Sequence, residues 1–437
     1  MAVTSSGDGN FSSVIAGGLS VNDDVIIDHD VTLDGDAPNV NSLTINPSKT
    51  FTGGGNTVTI DDKDGSAYSF RARNGSTISG TLNIKVTGNG GYIRDSATGS
   101  INNLEVDLGS SSEVHYLDTA LSLAGNLTIT EGIFNTNASS NHALTVAGGI
   151  KNTGTLTANA STIIITGEIA GFAFDQMGTF NAGTSTIQIG DGSTSTVGSS
   201  THFKSNNCHN LIINQHIDAP NGNVAWRAYT GTELTIGGNL TITRGRFYRN
   251  TSTQDLTVTG DVDIASVGKL GTEAASGSNT FGSLTINSGG TYQATSGTTT
   301  ITSETSGGFA IDNDGTFTHN NGTVTFTFAD TTKISLVGNS LYNVIVNDSS
   351  AAVEYIGDTT IDNDLTVTAG KFRYNNFDDL TVTGHVSVTG ILGHPNVDTT
   401  SNSTFGSLTI NSGGEYKAPS GTTIMKGALR NVGGTIS

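Results

Sequence analysis

Cysteine occurs once in this 437-residue chain, tryptophan once and proline five times. The single thiol, Cys208, excludes an internal disulfide and a cysteine-rich zinc site; a lone thiol of this kind is expected to act as a small buried apolar group. Basic residues are also few. The 19 Lys and Arg face 38 Asp and Glu, which leaves a net charge of −19. The cations are scattered with no basic stripe, so no nucleic-acid partner is expected, because phosphate binding needs clustered positive charge. Long apolar runs are missing. Ile163, Ile164 and Ile165 make one of the longest purely aliphatic stretches, so no membrane insertion is expected. The opening MAVTSSGDGNF has neither a basic n-region nor an apolar h-region, so it is not read as a Sec-type signal. No segment carries a sustained 3.6-residue apolar stripe, and almost no helix is expected.

What the chain does have is glycine, 58 residues of it, together with Thr, Ser and Asn. Short triplets with aliphatic ends, most of them with Thr in the middle, are set among them: Leu43/Ile45, Val58/Ile60, Leu104/Val106, Leu144/Val146, Leu211/Ile213, Leu256/Val258 and Leu408/Ile410. Strand side chains alternate, so the aliphatic pair faces a core and the Thr faces water. Gly, Asn, Asp or Ser follows each run, which turns the chain at once.

The triplets recur in near-copies. FGSLTINSGG occupies 281–290 and again 405–414, and TALSLAGNLTITEGIF at 119–134 returns as TELTIGGNLTITRGRF at 232–247. Leu104 to Leu127 is 23 residues, Ile163 to Ile187 and Ile187 to Leu211 are 24, and Val344 to Leu365 to Val386 are 21 each. A step of about 22 residues predicts an all-β, β-helix-like β-solenoid with about three short strands per coil. The second long copy carries about 24 more residues than the first, centred on FGSLTINSGGTYQATSGTTTITSE. One extra coil can enter a stack without disturbing its neighbours. The alternative is a set of tandem β-sandwiches. The predicted layout is an N-terminal β module over 1–60, further coils over 61–118, a first repeat copy over 119–231, a second with one extra coil over 232–358, and a truncated third over 359–437. The last coil is expected to lack a cap, either because the native chain continues past Ser437 or because a partner covers it. Asn and Thr at matching places in successive coils are expected to form hydrogen-bonded ladders.

Three groups of residues are candidate sites. Arg246, Phe247, Tyr248 and Arg249 align with Lys371, Phe372, Arg373 and Tyr374; Phe247 and Phe372 are read as core, and their neighbours Arg246, Tyr248, Arg373 and Tyr374 are cations and aromatics of a kind common on binding surfaces and also on plain exposed sheet. Trp226, with Arg227 and Tyr229, is read as an extended loop that offers contacts. Asp28 and Asp30 flank His29 in the densest carboxylate group and could supply oxygens to Ca2+, which takes about six to eight; turn-forming Asp on a solvated edge explains them equally. No other cofactor is implied. The nine His are dispersed, and no GxSxG, P-loop or HExxH motif occurs, so the chain is not expected to be an enzyme.

The opening SSGDGNFSS, followed by GGLSVNDDVIIDHDVTLDGDAPNVNSLTINPSKTFTGGGNTVTI, resembles the first module of β-strand repeat proteins found on phage tails and virion surfaces and among secreted bacterial adhesin-like proteins. GTFTHNNGTVTF and LYNVIVND resemble the downstream repeats of that group. The group usually carries Trp near its start, where this chain has Phe11. The resemblance implies a non-enzymatic structural appendage of a virion, such as a tail fibre, spike or capsid-surface protein. It would be a homo-oligomer among other virion proteins and would attach to a host-surface glycan or protein. The alternatives are an extracellular bacterial or archaeal adhesin or filament protein, and a polysaccharide-degrading tailspike. A start at Met1 without a signal favours the virion surface over the cell surface.

Overall fold

The computed structural model describes residues 1–437 apart from 16, 63–67, 89, 194–200, 216–222, 272–273, 329, 375–376 and 394–399. The chain is an all-β solenoid of about 17 coils, each of about 23 residues. Among the described residues the one helix is the four-residue Phe11–Val14. Strands pair in parallel with the equivalent strand one coil away. That pattern removes the sandwich alternative, whose sheets are built from antiparallel neighbours.

The sequence spacing is the structural register. Leu104 pairs with Leu127, Ile163 with Ile187 and Ile187 with Leu211; Val344 pairs with Leu365, Leu365 with Val386 and Val386 with Leu408. Each of these side chains is at most 1% exposed. A residue of this size contributes roughly 1.5–3 kcal/mol when fully buried, so stacked rows rather than any local element hold the coils together. The end of the row makes the point: Leu429 pairs with Leu408 but is 52% exposed.

The coils form two compact units, Met1–Gly222 and Asn223–Ser437. In the first, the row Val58, Ile84, Leu104, Leu127, Ile150 runs through five successive coils. On another side Phe134, Leu156 and Phe180 stack, and Phe11 of the helix packs its ring 6.3 Å from that of Phe51. In the second unit Leu240, Val262, Leu284, Ile311 and Ile334 form a comparable row. Asn279–Ile286 pairs with Asp255–Leu270 on one side, and with Thr298–Ile301 and Phe309–Asn313 on the other.

The repeated NSGG is a turn. Gly289 and Gly413 have φ of +88° and +84°, and the N–H of Gly290 and Gly414 donates back to the carbonyls of Asn287 and Asn411 at 2.8 and 2.9 Å. A β-turn with positive φ at its third residue asks for glycine there. Polar ladders complete the coil contacts. Asn103 Nδ2 donates to Asn83 Oδ1 at 2.9 Å, the Asn126 N–H to Asn103 Oδ1 at 2.8 Å, and the Gly149 N–H to Asn126 Oδ1 at 2.9 Å. In the second unit the Asn363 amide donates to Asn343 Oδ1, and the His385 N–H to Asp364 Oδ1.

Candidate functional site

Most of the outward surface carries Thr, Ser and Asn, but one face of the first unit differs. Strands Phe70–Ala72, Gly91–Asp95 and Val114–Leu117 lie side by side in parallel, with Arg71 opposite Arg94 and Tyr92 opposite Tyr116. Alternation sends Phe70, Ile93 and Leu117 inward, each 0% exposed. It therefore sends Arg71, Arg94, Tyr92 and Tyr116 outward. Tyr68, just before the first strand, joins the column. The rings of Tyr68 and Tyr92 are 6.2 Å apart and tilted, and those of Tyr92 and Tyr116 are 5.5 Å apart and stacked. Tyr92 remains 37% exposed.

Two guanidinium groups close on this column. Arg71 lies 4.7 Å and Arg94 5.0 Å from the Tyr68 ring centre, within cation–π range. Arg94 also pairs with Asp118 at 2.5 Å. Arg71 and Arg73 have no ion pair among the described residues. The Nε atoms of Arg71 and Arg94 are shielded from solvent and have no hydrogen-bond partner among the described residues. Arg71, Arg73 and Arg94, with Pro47, Asn74 and Ser96, line one open cleft of about 410 Å3. Asp95 alternates away from this cleft, and burial pushes its carboxyl up to about 6. The face is thus locally cationic on a chain of net charge −19.

Beneath it lies a closed polar cluster. Ser69 Oγ donates to Asp62 at 3.0 Å and sits 2.7 Å from His115 Nε2, and all three residues are 0% exposed. Gly91 makes room, since a Cβ there would stand 2.1 Å from Ser69 Oγ. The serine lies between the acid and the imidazole, whereas a nucleophilic relay places the imidazole in the middle. Burial holds the His115 imidazole down at about 4, so it is neutral.

The residues singled out from sequence fall elsewhere. Arg246 and Tyr248 are half-buried on strand Leu240–Arg249. The Arg246 guanidinium lies 5.3 Å from the Tyr248 ring centre, donates to the Gly271 carbonyl at 2.8 Å and reaches Gln293 at 3.2 Å. Arg373 is half-buried on strand Leu365–Tyr374, opposite Glu354. The side chain of Tyr374 lies outside the described residues. Phe247, Phe372 and Phe134 are core as expected, each 0% exposed. The loop reading of Trp226 needs correcting. It sits within strand Asn223–Arg227, is 0% exposed, and lies under the guanidinium of Arg249 at 5.8 Å. Asp28 and Asp30 are exposed and fasten one coil to the next: Asn46 Nδ2 donates to Asp28 at 3.0 Å and the Thr50 N–H to Asp30 at 2.8 Å. Asp34 accepts two hydrogen bonds from Ser12, through the hydroxyl and the N–H, which lower its carboxyl below the usual value. Among the described residues no three His, Cys, Asp or Glu group as a metal site would.

The Tyr–Arg face leaves a trace in the sequence that a local search misses. Tyr68, Tyr92 and Tyr116 are 24 residues apart, and Arg71 and Arg94 are 23 apart. Coil-length spacing of aromatics and cations is the signal, because neighbours in a parallel stack are one coil apart. Fold and surface together define a β-solenoid repeat protein. No protein-family model, curated protein or solved structure matches the chain.

Proposed function

We propose that this chain is a non-enzymatic structural appendage on the surface of a phage particle, a stack of coils that holds an attachment face toward a host cell. The observation that carries the attachment role is the outward Tyr68–Tyr92–Tyr116 column with Arg71 and Arg94 beside it. Exposed aromatics and arginines are the groups that carry binding energy at recognition surfaces, and here all but Tyr68 are set on regular strands. Placement on a particle rests on the resemblance of the first sixty residues to virion-surface repeat proteins. Other virion proteins would hold the chain, and a homo-oligomer would present several such faces at once, raising avidity without new contacts.

Antibody raised against the purified chain and imaged by gold labelling tests this on intact particles and on cells. Label on particles is expected, and pre-incubating cells with the purified chain should slow particle adsorption. Label confined to cell-borne filaments would transfer the chain to the adhesin reading. Release of reducing sugar from host polysaccharide by the purified chain would replace the non-enzymatic reading with that of a tailspike.

A further inference from the structure

We infer that the Tyr–Arg face binds an acidic saccharide, with a sugar ring against the tyrosine column and its carboxylate or sulfate group in the arginine cleft. This names the ligand class for the attachment role proposed above and rests on that reading.

The geometry supplies both halves of such a site. Tyr68, Tyr92 and Tyr116 stand on adjacent coils, and Tyr92, between the other two, keeps part of its ring open to solvent at 37% exposure. An aromatic face takes the apolar side of a sugar ring while leaving the hydroxyls to water. At about 410 Å3 the neighbouring cleft is within the ordinary size range for a small-ligand site. Its charge is incompletely compensated: Asp118 engages Arg94, while Arg71 and Arg73 lack an acidic partner among the described residues. Guanidinium is the side chain suited to a planar two-oxygen contact with carboxylate or sulfate. Contact with the Tyr68 ring holds both guanidinium groups beside the column before a ligand arrives, which lowers the ordering cost of binding.

Charge separates this ligand from a nucleic acid. Single strands also stack bases on aromatic side chains, but they need a continuous cationic groove along the backbone. Here three arginines share one cleft on a chain of net charge −19, which suits one or two anionic groups rather than a string of phosphates.

The test is calorimetric titration of the purified full chain with tetragalacturonate, its methyl ester, a heparin-derived tetrasaccharide and a six-residue oligothymidylate. Saturable binding of one of the acidic tetrasaccharides is expected, and which of the two binds tells carboxylate from sulfate. Binding of tetragalacturonate should be lost on esterification. Arg73→Gln and Tyr92→Ala should each weaken binding about tenfold or more, while Lys426→Gln in the other unit should leave it unchanged. Both Arg73 and Tyr92 are solvent-exposed, and an unchanged melting profile will show that the variants fold. Failure of both acidic tetrasaccharides to saturate, undiminished binding in Arg73→Gln, or tighter binding of the oligothymidylate each overturns the inference. Saccharide binding together with antibody label away from particles would sink the particle assignment and spare this site; label on particles without saccharide binding would do the reverse.

Discussion

Ser69 Oγ lies 2.7 Å from His115 Nε2, with Gly91 in the coil between them. Because the serine proton goes to Asp62, the imidazole must donate through Nε2–H. Its Nδ1 is then a bare acceptor, buried and without a partner among the described residues. Protonation would place an unpaired donor and a charge in that closed space, which is why burial lowers the His115 pKa to about 4.

The cluster predicts opposed pH dependences. His115 falls from 6.5 in the unfolded chain to about 4, so its contribution is full above pH 6.5 and is lost as pH drops toward 4. Asp95, on the adjacent strand, rises from 3.8 to about 6, so its contribution is full below pH 3.8 and is lost as pH climbs through 6. Each shift corresponds to about 3 kcal/mol at 1.36 kcal/mol per unit. The two offset over pH 4–6.5, and hydrogen-exchange protection of residues 91–95 and 114–117 should vary little there in the wild type. Asp95→Asn exposes the His115 effect, and protection should then fall with acidification. His115→Gln exposes the Asp95 effect, and protection should instead fall as pH rises. The same slope in both variants would refute this assignment.

The coil itself was legible because a parallel stack writes its register as a repeat length. Leu104 and Leu127 are 23 residues apart in the chain and face each other in space. The interior cluster was not legible. Asp62, Ser69 and His115 share no motif, and only the fold brings them together. The Tyr–Arg face is hidden in the sequence for a related reason. Aromatics beside cations in sequence point to Arg246 and Tyr248, whereas Tyr92 and Tyr116 are neighbours only across coils. The extra length around Trp226 relative to the next copy reads as a loop, yet strand Asn223–Arg227 buries the indole completely.

The asparagine ladder should matter more than the threonines beside it. Asn126 spends its N–H on Asn103 Oδ1 and its Oδ1 on the Gly149 N–H, linking three coils. Asn126→Ala leaves the Gly149 donor without its acceptor, at a cost of about 1–3 kcal/mol. Thr128, two residues on and partly exposed on strand Leu127–Glu131, should tolerate Ala within about 0.5 kcal/mol. Urea titration of the two variants, followed by circular dichroism, compares them directly. Equal losses would mean that the ladder adds nothing beyond sheet pairing.

Arg249 should be the least replaceable cation in the second unit. It is 4% exposed, and burial lowers its pKa. Its fork nevertheless finds acceptors: Nε donates to the Gln254 carbonyl at 2.6 Å, and Nη2 to the Ser278 carbonyl at 3.1 Å and to Asn279 Oδ1. Asn279 passes the network on to Tyr292 OH at 2.6 Å, and Tyr292 OH lies 2.9 Å from Thr299 Oγ1. The guanidinium plane also covers Trp226. Arg249→Ala strips donors from three acceptors at about 1–3 kcal/mol for each that stays buried and unsatisfied, and opens a void over the indole. Arg249→Lys keeps the charge but not the planar fork, and should recover only part of the loss. Trp226 is the one tryptophan in the chain, so its fluorescence during urea unfolding reports this region alone. The midpoint should fall in the order wild type, Lys, Ala. A lysine variant as stable as wild type would show that charge, not fork geometry, holds the network together.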